Sequence, residues 1–237
     1  MKERFFQFKK FGLSHSRSAH KIGVDGVLLG AWADVCGARG ILDAGCGCGL
    51  IAIMCAQRNV DAQITGIDID AASAEEAREN AARSPWSSRI GLYACGFDEF
   101  LQGNSILFDR VISNPPFYNA GIRCITSARE RSRHVSGFGP MSILSAHNRI
   151  LAPGGKIALI YPYADHVEVE RHAASLGLAC VRSMSVSGSL GAEPKRMLAE
   201  FCRNAVPGSH GSMAIETGEG GYTPEYMSLT SGFYLKF

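Results

Sequence analysis

Ile41-Leu42-Asp43-Ala44-Gly45-Cys46-Gly47-Cys48-Gly49-Leu50-Ile51 constrains the fold more than any other stretch of this chain. A short apolar run enters glycines at every second position and then a helical pattern. Such glycines permit a tight turn and let a ligand approach the backbone. The helix behind them offers unpaired N–H groups and a partial positive charge. The spacing is G-x-G-x-G, not the dinucleotide pattern G-x-G-x-x-G. About twenty residues on, Ile64-Thr65-Gly66-Ile67-Asp68 reads as a second strand ending in a carboxylate. An acid there accepts hydrogen bonds from the ribose hydroxyls of an adenosine-containing ligand. The competing role for Asp68 is a helix N-cap, alone or shared with Asp70.

A third motif ends another apolar run. Asn114-Pro115-Pro116-Phe117 follows Phe108-Asp109-Arg110-Val111-Ile112-Ser113. Two prolines lack N–H donors and stiffen the turn, leaving carbonyls to accept. An Asn acceptor, a Pro115 carbonyl and an aromatic face suit a planar substrate that carries an exocyclic amine. The plain alternative is a proline-rich loop of no special chemistry.

Apolar runs alternate with helical patterns from about residue 40 onward. Strands are predicted near 40–44, 63–68, 89–94, 108–113, 155–161, 178–186 and 195–203. Helices are predicted near 24–34, 49–58, 71–82, 140–150, 166–176 and 223–230. This rhythm predicts an α/β fold with a mostly parallel sheet covered on both faces. Ligands in such sheets bind beyond the strands' carboxyl ends. The glycine turn, Asp68 and the N-P-P-F segment all fall at predicted carboxyl ends, so three motifs converge on one edge. Residues 117–139 form a long polar connection, and 204–221 read as a turn or exposed hairpin.

At 237 residues and 46% hydrophobic content the chain can bury a sizeable core. Eight cysteines show no C-x-x-C pair and no histidine partners, which predicts reduced, mostly buried thiols and no metal site. No apolar run approaches a membrane span, and the first residues do not form a signal peptide. Net charge is only +2, but the cations cluster. Lys2, Arg4, Lys9, Lys10, Arg17 and Lys21 face one acid, Glu3; Arg123, Arg129, Arg131 and Arg133 face Glu130. Both groups fit phosphate contacts, or else a solvated surface.

Taken together, these residues resemble the Rossmann-like, class I S-adenosylmethionine-dependent methyltransferases, and among them the N-P-P-[FY] enzymes that methylate amines on planar systems. Phe8-Lys9-Lys10-Phe11, the block from Lys21 to Trp32, Ser84-Pro85-Trp86, Arg129-Glu130, Arg133, Pro194-Lys195-Arg196 and Phe233-Tyr234-Leu235 extend the resemblance over essentially the whole chain. They are similar to the bacterial family that methylates N6 of adenine 37 in valine tRNA. The resemblance implies a seven-stranded sheet with the last strand antiparallel. It also implies a methyltransferase domain over 40–237, preceded by a basic extension and helix over 1–39.

The implied chemistry is carried by Asn114, Pro115, Pro116 and Phe117. The implied cofactor contacts are Asp43, Gly45, Gly47, Gly49, Asp68, Asn114, Lys21 and Asp25. Many relatives carry an acid at the end of strand three; Gly96 falls there in this chain, and Asp98 is the expected substitute. Lys9, Lys10, Arg123, Arg129, Arg131 and Arg133 are the expected RNA contacts. The implied partner is the anticodon loop of a tRNA, for a cytoplasmic monomer or weak homodimer needing no membrane and no metal. Rival readings are a ribosomal RNA guanine-N2 or protein-glutamine methyltransferase, a nicotinamide oxidoreductase, and a non-catalytic RNA-binding module. The G-x-G-x-G spacing and the N-P-P-F turn speak against the oxidoreductase.

Overall fold

A computed structural model describes residues 4–18, 21–116, 137–204 and 208–237. Strand β3 (Gly40–Ala44) leads through the glycine turn to α2 (Leu50–Arg58), then β4 (Gln63–Asp68), α3 (Ala71–Arg83) and β5 (Ile90–Ala94). Helix α4 (Phe97–Gly103) precedes β6 (Phe108–Ser113). Then come α5 (Pro140–Ser145), α6 (His147–Ile150), β7 (Leu151–Pro162), α7 (His166–Ser175), β8 (Ala179–Ser189) and β9 (Pro194–Cys202). The last elements are β10 (Ser209–Glu216) and α8 (Pro224–Thr230). Ahead of all these lie a hairpin, β1 (Phe5–Gln7) with β2 (Gly12–Ser14), and helix α1 (Val24–Trp32).

The main sheet runs β10-β8-β9-β7-β6-β3-β4-β5, and β9 is antiparallel to both its neighbours. The sheet order reverses between β3 and β6, and in such sheets ligands bind beyond the strand ends at that switch point. Period-2 alternation sends neighbouring residues to opposite faces. Ile41, Ile64, Ile112 and Ile160 pack with α1, α2 and the hairpin. Leu42, Ile67, Val111 and Leu159 pack with α5, α6 and α7. Burial on both faces is why these strands read as continuous apolar runs.

Four features depart from the sequence expectation. The sheet has eight strands, not seven: β10 lies parallel outside β8. Of its residues only Met213 is buried, so it carries no apolar pattern to betray it. The hairpin β1–β2 and helix α4 were likewise not expected; both are short, and each buries few residues. The helix expected over 140–150 breaks at Ala146, where the His147 ring bonds the Leu144 carbonyl at 2.9 Å and competes with the backbone ladder. Finally, β7 begins at Leu151, and Pro153-Gly154-Gly155 forms an irregularity in its pairing with β6 rather than a separate turn.

All seven cysteines among the described residues are unpaired. Burial pushes the Cys48 and Cys55 thiols up to about 12, so they stay protonated and inert. Among the described residues no helix is long and apolar enough to cross a membrane. None of their His, Cys, Asp and Glu side chains gather in threes to hold a metal ion.

Candidate active site

The glycine turn is built from left-handed backbone. Gly45, Gly47 and Gly49 have φ of 76°, 54° and 84°, a region other residues enter at a cost. Gly45 is required twice over, since a Cβ there would sit 2.9 Å from the Phe138 ring. The turn is fastened to the end of β4. The N–H groups of Gly45 and Cys46 both donate to the Ile67 carbonyl, at 2.8 and 2.9 Å. Gly47 N–H donates to Asp68 Oδ2 at 2.8 Å.

Asp68 is therefore not the cap of α3. Asp70 takes that role, accepting from Ser73 N–H at 3.0 Å and the Ser73 hydroxyl at 2.6 Å. Asp68 Oδ1 accepts from Asp70 N–H at 2.9 Å. Its half-buried carboxylate at the end of β4 is oriented by these backbone donors, and a carboxylate oxygen can accept more than one bond.

Asp43 is wholly buried behind the turn. Its Oδ2 accepts from Ala52 N–H in the first turn of α2 at 3.0 Å, while its Oδ1 meets no donor among the described residues. Burial raises the carboxyl to about 7, against the opposing Ala52 N–H bond, and the nearby Asp68 charge adds to the rise. A buried acceptor without a partner is costly unless a ligand or water satisfies it. The turn, the α2 N-terminus and Asp43 Oδ1 together fit a zwitterionic ligand with a carboxylate and an ammonium. Asp68 fits its diol.

Asn114 follows β6 directly. The buried Ser113 hydroxyl donates to the Ala44 carbonyl at 2.6 Å, which ties the end of β6 to the start of the glycine turn. Pro115 is buried and Pro116 half-buried. On the other side stands α1. A Cβ on its buried Gly26 would lie 3.0 Å from Leu50 Cδ2 and 4.0 Å from Asn114 Nδ2. Thus α1, the head of α2 and the end of β6 meet around the Asn114 amide.

Other predicted residues have partners or positions of their own. Lys21 Nζ donates to the carbonyls of His15, Ser16 and Ser18 at 2.9, 3.0 and 3.0 Å, so it closes a loop of its own segment. Asp25 pairs with Arg196, whose Nε lies 2.9 Å from Asp25 Oδ2. Asp98 is exposed in the first turn of α4, not at a strand end. In that turn it is Glu99 that reaches back to Gly96 N–H, at 3.4 Å. Lys9 Nζ donates to the oxygens of Ser231 and Phe237, and Lys10 is exposed. Phe117, Arg123, Arg129, Arg131 and Arg133 lie outside the described residues.

Two residues that sequence reasoning passed over brace the site. Glu76, fully buried on α3, accepts from the N–H groups of Ser16, Arg17 and Ser18 at 2.7, 3.1 and 2.8 Å and from the Ser18 hydroxyl at 2.5 Å. Burial pushes its pKa up, but these bonds outweigh it and bring the carboxyl down to about 2. Asn80, one turn on, receives Ser14 N–H and donates to the carbonyls of Ser14 and Cys48. The N-terminal segment, α3 and the glycine turn are thereby joined. The signal lay in the helix itself, where Glu76 and Asn80 flank the stripe Ala74, Ala77, Ala81.

The methyltransferase small domain family matches residues 26–162. A tRNA1(Val) (adenine(37)-N6)-methyltransferase of Aeromonas hydrophila is 39% identical across 98% of this chain and 97% of its own length. The chain belongs to that family. The corresponding methyltransferase of Trichodesmium erythraeum is 37% identical, with 98% of each chain covered. Among solved structures, a predicted O-methyltransferase from Agrobacterium tumefaciens superposes with a TM-score of 0.67, covering 88% of this chain and 96% of its own at 22% identity. A putative RNA methyltransferase from Pyrococcus horikoshii gives 0.53 at 15% identity, with 81% and 88% covered. These two likenesses show the class I methyltransferase fold, and the family to which the chain belongs uses S-adenosylmethionine. In this methyltransferase the glycine turn and Asn114 both follow neighbouring strands, β3 and β6, at the point where the sheet order reverses.

Proposed function

We propose that the chain transfers the methyl group of S-adenosylmethionine to N6 of adenine 37 in a valine tRNA. The observation that supports this reading is the bond from Ser113, the residue before Asn114-Pro115, to Ala44 at the start of the glycine turn, and relatives matched over nearly their whole length bear the name of that reaction.

When bound, the cofactor would supply an electrophilic methyl on a sulfonium; its transfer to N6 would release a neutral thioether and one N6 proton to solvent. The protein's share is placement. Gly45, Gly47 and Gly49 leave the backbone bare and would admit the methionine end, Asp43 Oδ1 would meet its ammonium, and Asp68 would hold the ribose hydroxyls. Asn114 and the Pro115 carbonyl accept the two N6 hydrogens. These bonds free the nitrogen lone pair and strengthen as positive charge grows on N6 in the transition state. No strong base is required, because the proton turns acidic only as the new bond forms. Fixing the two reactants in line contributes roughly 7–11 kcal/mol in favourable cases. Phe117 is the residue assigned to stack on the adenine. An anticodon-loop base is already partly unstacked, which lowers the cost of turning it into the site.

The test is incubation of the purified protein with methyl-labelled cofactor and a panel of unmodified tRNA transcripts. Nucleoside analysis should find N6-methyladenosine at position 37 of valine tRNA. Product on ribosomal RNA or protein alone, with none on tRNA, overturns the substrate.

A further inference from the structure

Asp25 and Arg196 are 171 residues apart in sequence, yet form a 2.9 Å ion pair. Their side chains are 27% and 33% exposed. Arg196 opens β9 opposite Pro162, where β7 ends, so it stands on the carboxyl edge of the sheet. A second bond, from Arg196 to the Lys195 carbonyl at 3.0 Å, orients the guanidinium. Asp25 occupies the first turn of α1. That turn is weakly closed by its own bonds. Its N-cap, Gly23, has no side chain to cap it, and the first backbone bond, Val27 N–H to Gly23 carbonyl, is long at 3.4 Å. The next residue after Asp25 is Gly26, the one whose bare backbone lies alongside Leu50 and the Asn114 amide.

We infer that Asp25 and Arg196 are a positioning pair: they pin the first turn of α1 so that Gly26 forms the wall of the amine pocket beside Asn114. Asp25 then acts through α1 and does not touch the cofactor. The inference rests on the methyl-transfer reading above. Slackening the pair lets α1 drift against Leu50 and Asn114, and small misplacement at a reacting centre is expensive in rate. The residues proposed above to hold cofactor and tRNA are others, so binding should be spared.

The test compares wild type, Asp25→Asn, Arg196→Gln and the swapped double variant Asp25→Arg/Arg196→Asp. Each is measured for single-turnover methyl transfer, S-adenosylhomocysteine affinity, tRNA KM and melting midpoint. Both single variants should slow transfer about ten- to a hundredfold, with the two affinities within about twofold of wild type. The swap should recover most of the rate. Three results overturn the inference. One is weaker S-adenosylhomocysteine binding by Asp25→Asn at an unchanged rate, which makes Asp25 a cofactor contact. Another is a raised tRNA KM for Arg196→Gln at an unchanged rate, which makes Arg196 a phosphate contact. The third is a swap no faster than the single variants. A wild type that methylates no RNA overturns the methyl-transfer reading itself, and the inference falls with it.

Discussion

The Ser113 hydroxyl and the Ala44 carbonyl meet at 2.6 Å across the β3–β6 step, the point where the sheet order reverses. This bond extends the β3–β6 ladder to the residue before Asn114 and to the start of the glycine turn. Ser113→Ala leaves a buried carbonyl short of a donor, which costs about 1–3 kcal/mol. Urea denaturation should show that loss, and methyl transfer should fall further than cofactor affinity. Equal falls in both would mean that the bond serves only stability.

Asn114→Ala removes one of the two acceptors for the amine while leaving the glycine turn and Asp68 in place. Turnover should drop by two to three orders of magnitude, roughly the loss seen when one preorganised transition-state contact is deleted. Calorimetric affinity for S-adenosylhomocysteine should stay near wild type. A variant that still methylates briskly would rule out the amine-acceptor role.

Gly45→Ala forces a side chain into left-handed backbone and into the Phe138 ring. The backbone strain alone costs on the order of 1–3 kcal/mol. The cofactor side of the site should suffer first, so S-adenosylhomocysteine affinity should fall together with the melting midpoint.

Asp43 and Glu76 should leave opposite marks on stability against pH. The Asp43 carboxyl is raised from 3.8 to about 7, so the folded state holds a proton that the unfolded state has lost. In the cofactor-free protein its contribution to stability must fall as pH climbs from about 4 to 7. Asp43→Asn should remove that decline in denaturant midpoints. Glu76 is lowered from 4.5 to about 2, so its contribution is complete above 4.5 and disappears as pH drops through 2. Glu76→Ala should cost about 1.5–3 kcal/mol or more at neutral pH, because three N–H groups lose a charged acceptor. A Glu76→Ala variant as stable as wild type at pH 7 would refute its bracing role.

The carboxyl edge of the sheet and its three motifs were legible because each part is local. Alternating glycines, an acid at a strand end and an Asn-Pro-Pro turn are contiguous patterns, and strands buried on both faces announce themselves as apolar runs. The hairpin, α4 and β10 were not legible, since short elements with few buried residues leave little periodicity. Asp98 was placed beside the cofactor by alignment along a strand; the chain instead turns into α4 at Gly96, which moves Asp98 to an exposed position.

By itself the sequence determined the α/β alternation, the three motifs at the carboxyl edge and, through them, the reaction class. Backbone conformation and strand burial follow from neighbours a few residues apart. Tertiary structure alone decided which charged residues are spent on the fold. Glu76 is held by residues 58 to 60 positions away, Lys9 by residues more than 220 positions away, and Asp25 by Arg196. A charge reads the same in sequence whether it meets solvent, a ligand or a distant partner; only the folded chain brings that partner within reach.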